Sequence, residues 1–202
     1  MGVMATKRPV YEIGYEIIGG KKYMAPSAVP NHGLTISGLL YIFRNMLGEE
    51  NFSYLSDVDV ILDAEHTVRP DFMIISDFSQ IGEKNIQGAP DFIAEVVSPS
   101  NAGHDFVRKK KLYELHGVKE YWIVDIYTRN IHVHVLENGV YADAVYHCYS
   151  QEELDNINAF NEIIVGDENE ILKEQIKITH ISSRTFGADI NVPIKDIFKN
   201  II

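Results

Sequence analysis

Residues 91–125, DFIAEVVSPSNAGHDFVRKKKLYELHGVKEYWIVD, contain two apolar segments on either side of a polar one. The first, residues 91–97, is almost continuously apolar, which is typical of a strand buried on both faces of a sheet. A Ser-Pro-Ser turn follows it. Residues 103–116 are then predicted to form a helix that ends at Gly117 in the left-handed conformation. The segment EYWIVDI, residues 120–126, predicts the next strand.

Apolar patterning elsewhere predicts further elements of both kinds. They are a hairpin in residues 15–25, a helix that begins at an Asn31 cap and runs to about Leu47, strands at 54–63 and 68–75, a hairpin that turns at Asn138-Gly139, and a terminal strand and helix. We therefore predict an α/β (α+β) fold in which helices flank a mixed central β-sheet. Residues 1–202 are expected to form a single domain, with the polar segment 145–185 as an insertion or appendage.

Composition places the chain among ordinary globular proteins. Its 202 residues are 46% hydrophobic and 23% charged, which is enough to build a sizeable core. No apolar run approaches the roughly 20 residues that span a bilayer, and the N-terminus lacks the apolar region of a signal peptide. We therefore expect no membrane association and a cytoplasmic location, where a single cysteine, Cys148, suits a reducing environment.

The net charge of −11 bears on the class of partner. Nucleic-acid-binding proteins usually carry a basic surface, because neutralised phosphates release counterions. The basic cluster of this chain is short, at residues 108–111. The charge argues against tight non-specific binding of DNA, but it does not exclude a nuclease, because a carboxylate-rich metal site is itself acidic.

Glu95 is the one polar residue in the apolar strand FIAEVV. Buried carboxylates are rare unless they are paired with a cation or bound to a metal. Hydrolysis of a phosphodiester requires neutralisation of the developing charge and an activated water, and a divalent cation held by carboxylates supplies both. Glu95 is therefore either a metal ligand or the partner of a lysine or a turn.

Two further features fit a metal-dependent phosphodiesterase. Asp71 follows Pro70 just ahead of an apolar stretch, although Pro-Asp pairs are also common in turns. Asp105, Lys109 and Tyr113 are spaced i, i+4 and i+8, which places them on one face of the predicted helix. That face either points Lys109 at the acids or carries an exposed Asp-Lys pair worth about 0.3–0.5 kcal/mol.

Three motifs, in this order, resemble the Uma2 family of endonucleases, which belongs to the PD-(D/E)xK or restriction-endonuclease-like superfamily. They are VRPDFMII (68–75), GAPDFIAEVVSPSN (88–101) and D-x3-K-x3-Y-x3-GVKEYWIVD (105–125). The resemblance spans about residues 11–141, and INVPIKDIF is similar to the family's closing strand and helix. It implies a restriction-endonuclease-like fold and an endonuclease that cleaves DNA with Mg²⁺, for which Mn²⁺ can substitute.

The same resemblance implies the roles of individual residues. Asp71 and Glu95 would hold the metal together with the main-chain carbonyl of Val96. The superfamily lysine is expected two residues after Glu95, where this chain has Val97. The resemblance implies that Lys109, on the following helix, replaces that lysine and orients water or stabilises charge.

Three more polar residues are candidates for supporting roles, and each has a simpler alternative. His32, at the start of the first helix, lies near the metal or forms a hydrogen bond of the helix start. Asp59 is a further acid of the site or a solvent-facing strand residue. Ser98 binds the carboxylates or a phosphate, or belongs to the turn with Pro99.

Other conspicuous residues are predicted to be structural. His132 and His134 share a strand face, for which a polar outer surface is a simpler interpretation than a zinc site. Trp122 is expected in the core. Two rival functions remain open, a catalytically idle domain that binds nucleic acid or a protein, and a hydrolase acting on RNA or nucleotides. By analogy with enzymes that cut both strands symmetrically, we also expect a homodimer.

Overall fold

The computed structural model describes residues 15–24, 29–97, 105–161, 176–183, 185–186, 190–199 and 201. At positions 105, 106, 158, 160 and 161 it describes the backbone alone. No helix in these ranges is long and apolar enough to cross a bilayer.

Strands dominate the described residues, and helices connect or cover them. The strands are β1 (Tyr15–Ile18), β2 (Lys21–Met24), β3 (Ser53–Leu55), β4 (Val60–Ile61), β5 (Thr67–Val68), β6 (Phe72–Ile75), β7 (Ile86–Gln87), β8 (Phe92–Val97), β9 (Glu120–Asp125), β10 (Asn130–Glu137), β11 (Val140–His147), β12 (His180–Ser183) and β13 (Ile190–Pro193). The helices are α1 (Pro30–Leu47), α2 (Lys110–His116), α3 (Gln151–Asn161) and α4 (Ile194–Ile197). A 3-10 turn covers Phe78–Gln80, and a π-helical turn, Asp105–Lys109, leads into α2.

The main sheet has six strands in the order β11-β10-β9-β8-β6-β3. Its central pair, β8 and β9, is parallel, and the other pairs are antiparallel. A smaller sheet has the order β2-β1-β5-β4-β7, and β12 pairs with β13. The prediction of a mixed sheet with flanking helices is confirmed, as are the two hairpins and the terminal strand and helix.

Side chains on the two faces of the main sheet form two separate cores. The α1 core contains Phe43 of α1 packed on Phe92 and Trp122 of the sheet, with ring centroids 4.8 and 5.6 Å from that of Phe43. The α2 core contains Leu112 and Tyr113 of α2, the opposite face of the sheet, and apolar residues of the small sheet. Trp122 is fully buried, as predicted.

The alternation of β8 determines where its acid points. Ala94 and Val96 belong to the α1 core, whereas Ile93 and Val97 belong to the α2 core. Because successive side chains of a strand point to opposite faces, Glu95 lies on the same side as the α2 core. The fold therefore directs this carboxylate towards α2 and the small sheet.

Two predicted strands are each divided between the two sheets. Residues 54–63 form β3 in the main sheet and β4 in the small one, and residues 68–75 form β5 and β6 in the same way. The divisions fall at Asp57, which has a left-handed φ of 55°, and at Pro70, which has no N–H to donate to a ladder. The N–H of Asp57 donates to the carbonyl of Pro70 at 3.2 Å. The chain thus passes between the sheets next to Asp71.

The helix boundaries also differ from the predictions. Helix α1 begins at Pro30 with Val29 as its N-cap residue, so Asn31 is not the cap. Proline suits the first helical position, because that residue needs no N–H donor and its φ is already helical. Residues 103 and 104 of the predicted helix 103–116 lie outside the described residues. Residues 105–109 form the π-helical turn, and the α-helix runs from Lys110 and ends at Gly117 with a left-handed φ of 81°, as predicted.

Part of the segment 145–185 contributes to the fold. It contains the end of β11, the helix α3, and β12 with the fully buried Ile181, which packs in the α1 core. The single domain and the insertion or appendage at 145–185 remain predictions.

Candidate active site

Glu95 lies at the centre of a buried polar cluster beside the α2 core. Its side chain is 3% exposed. Its Oε1 accepts a hydrogen bond from Nζ of Lys109 and another from the hydroxyl of Tyr113, each at 2.9 Å. Charged donors make strong hydrogen bonds in such surroundings, because little water competes for the carboxylate. Two residues from the helical segment thus hold the acid of β8 in one orientation.

Lys109 also contacts a second acid that the sequence analysis did not identify. Its Nζ lies 3.0 Å from Oε1 of Glu16 in β1, and the backbone N–H of Arg69 donates to the same oxygen at 2.9 Å. Lys109 is 5% exposed and Glu16 is 9% exposed. A lysine ammonium is thereby held between two carboxylates from two different sheets. The two carboxylates offset part of the large cost of removing the charge of the ammonium group from water.

The signal for Glu16 was present in the sequence. Glu16 is the one acid in the short strand YEII, just as Glu95 is in FIAEVV. The side chain of Glu16 points the same way as Ile18, which packs in the α2 core. Its partner could not be identified from the pattern, because the contact depends on how the small sheet packs against the helical segment.

Asp71 lies beside Glu95 on the neighbouring strand. The antiparallel register of β6 and β8 pairs Phe72 with Ala94. Extended by one residue, the same register sets Asp71 opposite Glu95, so both carboxylates leave the same face of the sheet. Oδ2 of Asp71 accepts the backbone N–H of Val96 at 2.8 Å, which ties the end of β6 to β8.

His32 is the second partner of Asp71. Its Nε2 lies 3.0 Å from Oδ2, across the gap between the start of α1 and the start of β6. The hydrogen bond to Asp71 raises the pKa of His32 above its ordinary value of 6.5, and burial opposes part of this effect. In the described part of the chain, both hydrogen bonds of Asp71 involve Oδ2. The other oxygen, Oδ1, is thus the one left to a ligand.

The usual position of the lysine is occupied by a core residue. Val97 is 2% exposed and packs in the α2 core, on the same side of β8 as Glu95. A lysine at this position would also reach the acid, because residues i and i+2 of a strand share a face. Here Lys109 brings its ammonium group to the acid from the π-helical turn instead.

The supporting candidates have different positions. Tyr113 contacts Glu95 directly, and its burial raises its pKa well above 10, so it remains a hydrogen-bond donor. Asp59 forms an ion pair with Arg69, with Oδ1 2.8 Å from Nη2 and 2.9 Å from Nε, and has no contact with Asp71 or Glu95 in the described structure. Ser98 and the side chain of Asp105 lie outside the described residues.

Two features of the β10–β11 hairpin and of β9, the strand before it, were not anticipated. His134 is 5% exposed, and its ring lies against those of Tyr121 and Tyr141, so the prediction of a polar outer face is wrong for this residue. The tyrosines of the flanking strands cover the imidazole, and desolvation lowers its pKa. Glu120 is fully buried in β9, where Ser183 and Trp122 donate to it, and burial raises its pKa.

The cluster has the components of phosphoryl-transfer chemistry. Carboxylates on two adjacent strands offer hard oxygen ligands, which Mg²⁺ and Mn²⁺ prefer. A fixed ammonium group beside one of them can stabilise negative charge without reorganisation. These groups lie on rigid strands and on the helical segment that packs against them, which is the support that a precise site needs.

Comparisons with known proteins bear on the family and the fold. A family model described as "Uma2: Putative restriction endonuclease" matches residues 11–163. The fold matches a crystal structure from Anabaena variabilis ATCC 29413, described as "a putative nuclease belonging to DUF820", with a TM-score of 0.67. The two chains share 16% sequence identity over 95% of this chain and 93% of the other. No curated protein matches the sequence.

The structural match shows the fold, and the family model shows the relationship. At 16% identity the solved nuclease supports a restriction-endonuclease-like fold, as the sequence predicted. The family model covers well over half of the chain and includes Glu16, Asp71, Glu95 and Lys109. The chain therefore belongs to the Uma2 family.

Proposed function

We propose that this protein is a metal-dependent endodeoxyribonuclease. Asp71, Glu95 and the carbonyl of Val96 hold Mg²⁺, or Mn²⁺ in its place, and Lys109 is the catalytic lysine. The observation that carries the proposal is the 2.9 Å contact between Nζ of Lys109 and Oε1 of Glu95. It brings an ammonium group to the acid although Val97 occupies the usual position of the lysine.

The residues fit a hard divalent cation. Asp71 and Glu95 lie opposite each other at the end of a strand pair, and Oδ1 of Asp71 accepts no hydrogen bond within the described structure. The side chain of Asp71 is 23% exposed, so the site is open to solvent from one side. Once bound, the metal would neutralise phosphate charge and lower the pKa of water.

The protein residues would each perform a distinct task. Lys109 would orient the attacking water or stabilise negative charge on the phosphate, and Glu16 would keep its ammonium group in place. Tyr113 would fix the carboxylate of Glu95 through its hydroxyl. His32 would hold Asp71 through Oδ2 and could release that oxygen when it loses its proton.

Cleavage assays with a matched pair of variants test the proposal. Glu95→Gln should abolish cleavage of plasmid DNA in Mg²⁺ or Mn²⁺, because it removes a metal ligand but keeps the shape of the side chain. Glu137→Gln, an exposed acid on β10, should cleave as the wild type does. Both variants should melt cooperatively. Undiminished cleavage by a pure, folded Glu95→Gln preparation would contradict the assignment.

A catalytically idle domain is the second candidate function. It is favoured by Val97 in the position of the lysine and by the net charge of −11. Calorimetric titration of Mn²⁺ into the wild type and Asp71→Asn separates the two. Binding that Asp71→Asn weakens supports the nuclease. No binding in either, even with a DNA duplex present, favours the idle domain. A hydrolase acting on RNA is the third candidate. Digestion of DNA and RNA substrates in parallel tests it, because that candidate predicts cleavage of RNA and not of DNA.

The assembly and location remain proposals. Symmetric cleavage of both DNA strands needs two sites related by a two-fold axis, so we propose a homodimer. Sedimentation equilibrium of the full chain tests this, and a monomer with and without DNA would contradict it. A cytoplasmic location is also a proposal, which the single cysteine supports because it suits a reducing compartment.

A further inference from the structure

A second group of potential metal ligands lies apart from the nuclease cluster. Asp63 and His66 belong to the loop between β4 and β5, and His116 is the last residue of α2. One ligand atom from each of the three lies within 4.8 Å of the other two. Oδ1 of Asp63 is 2.7 Å from Nδ1 of His66, and its Oδ2 is 2.8 Å from Nε2 of His116.

The hydrogen bonding of His116 determines which of its nitrogens faces the group. Its Nδ1 lies 2.8 Å from the carbonyl of Leu112, so Nδ1 carries a proton and donates it. The neutral ring then presents the lone pair of Nε2 to the carboxylate of Asp63. Two lone pairs cannot form a hydrogen bond, so the contact needs a second proton on the ring or a cation. Metal-binding histidines are commonly oriented by such an Nδ1–H bond to a carbonyl.

The donor set favours a transition metal over Mg²⁺. Two imidazoles and one carboxylate are typical ligands of Zn²⁺ and its neighbours, whereas Mg²⁺ prefers oxygen alone. Tetrahedral Zn²⁺ separates its ligand atoms by roughly 3.3 Å, as follows from metal–ligand distances of about 2.0–2.2 Å. Measured from one oxygen, Oδ2 of Asp63, Nδ1 of His66 lies at 2.9 Å and Nε2 of His116 at 2.8 Å, so both separations would have to widen by about half an ångström.

Solvent can reach the group. The side chains of Asp63, His66 and His116 are 43%, 21% and 19% exposed. Exposed side chains on a loop and at a helix end can shift by the small distance required. Three protein ligands would also leave a fourth position for water or a further donor.

We propose that Asp63, His66 and His116 form a Zn²⁺-binding site that is separate from the nuclease centre. None of its three ligands belongs to the nuclease centre, which consists of Asp71, Glu95 and Lys109. The bound ion joins the β4–β5 loop of the small sheet to the end of α2, the helix whose Tyr113 donates to Glu95. The site therefore fixes the packing of α2 against the small sheet.

Titration of the full-length protein with Co²⁺ and Zn²⁺ tests the proposal without any activity assay. Mg²⁺ is kept in excess to occupy the nuclease centre. One equivalent of Co²⁺ should give the intense visible absorption of a tetrahedral site, and Zn²⁺ should displace it. Zn²⁺ should also raise the melting temperature, because it binds the folded chain.

Variants assign the signal to these residues. His116→Ala and His66→Ala should each weaken Zn²⁺ binding by more than roughly tenfold. Removal of a residue that only forms a hydrogen bond to a metal ligand already weakens binding about tenfold, and removal of a ligand should weaken it more. His180→Ala, an exposed histidine elsewhere, and Asp71→Asn should both bind Zn²⁺ as the wild type does. Circular dichroism confirms that each variant is folded.

Two outcomes would overturn the inference. One is the absence of stoichiometric Zn²⁺ binding to the wild type, which would leave the group as a hydrogen-bonded His-Asp-His cluster without a metal. The other is binding that folded His116→Ala and His66→Ala retain but Asp71→Asn loses, which would place the ion at the nuclease centre. Asp71→Asn changes the proposed nuclease centre but leaves the three proposed zinc ligands intact. The zinc site can therefore be confirmed or rejected whether or not the protein proves to be a nuclease.

Discussion

Lys109 and Glu95 are joined by a 2.9 Å contact between Nζ and Oε1, although fourteen residues separate them in the chain. Their side chains are 6% and 4% exposed, so the charges are shielded from water. Oε1 of Glu16 lies 3.0 Å from the same ammonium group. The pair is therefore part of a buried polar centre, and its disruption should be visible in stability as well as in activity.

Replacement of Lys109 should destabilise the fold. Lys109→Met leaves Glu16 and Glu95 buried near each other without their cation, which should lower the free energy of unfolding by about 3–5 kcal/mol. Urea denaturation measures the change. Lys111→Met is the matched control, because that side chain is 66% exposed and pairs with Glu114 at the surface. It should cost less than about 1 kcal/mol. Equal effects of the two variants would contradict a buried centre.

Glu16 should position Lys109 without binding the metal. Glu16→Gln removes the charge that holds the ammonium group, so cleavage should fall by on the order of 10²-fold. Its Mn²⁺ affinity, measured by calorimetry, should remain close to that of the wild type, whereas Asp71→Asn should lose binding. Glu49→Gln, an exposed acid after α1, serves as the control for cleavage. If Glu16→Gln loses Mn²⁺ as Asp71→Asn does, Glu16 is a ligand and not a positioning residue.

Tyr113 should affect the metal site through Glu95. Tyr113→Phe removes a hydrogen bond to a charged acceptor, which should cost about 1.5–3 kcal/mol of stability. It should also weaken Mn²⁺ binding, because Glu95 loses a donor that helps to orient it. Tyr141→Phe is a close control, since its buried hydroxyl donates to the carbonyl of Val118 and not to the site. That variant should lose stability but keep its metal affinity.

The His32–Asp71 pair should make stability depend on pH. The pKa of His32 is raised in the folded chain, so the folded state binds the proton more tightly than the unfolded state. The stabilisation is therefore complete below the ordinary pKa of 6.5 and is lost as the pH rises through the folded-state pKa. The difference in unfolding free energy between the wild type and His32→Ala should shrink over this range.

Two further measurements make the pH prediction specific. Nuclear magnetic resonance titration should place the pKa of His32 above 6.5 in the wild type and lower in Asp71→Asn. His180→Ala, at an exposed position, should show no such pH-dependent difference from the wild type. A His32–Asp71 contribution that grows with rising pH would contradict the contact.

Most of the main sheet could be predicted from the sequence because its strands are short, apolar and separated by clear turn signals. Residues 91–97 and 120–126 were placed correctly, and the Asn138-Gly139 turn has the positive φ values of 52° and 83° that suit a tight hairpin. The divisions near Asp57 and Pro70 were missed. The alternation of apolar and polar residues continues where the chain passes from one sheet to the other. It shows which side of a strand is buried, but it does not show which strand is its neighbour in the sheet.

The candidate site was predicted in part for a related reason. Asp71, Glu95, Lys109 and Tyr113 were named from motifs. Lys109 and Tyr113 contact Glu95, and Asp71 contacts the backbone of Val96 next to it, whereas their roles remain predictions. Glu16 was not named, because its contact with Lys109 depends on tertiary packing of the small sheet. The burial of His134 was missed because strand alternation does not reveal the bulky tyrosines on the neighbouring strands.

The ammonium group of Lys109 connects three parts of the chain that are distant in sequence. Glu16 comes from the β1–β2 hairpin, Glu95 from the central sheet, and Lys109 from the π-helical turn before α2, which places its ammonium group between the two carboxylates. Such long-range contacts form late, because the entropy of closing the intervening loops must be overcome first. A partly folded chain would therefore lack the assembled centre. On the proposed function, cleavage would therefore require the hairpin, the central sheet and the helical segment to be assembled together.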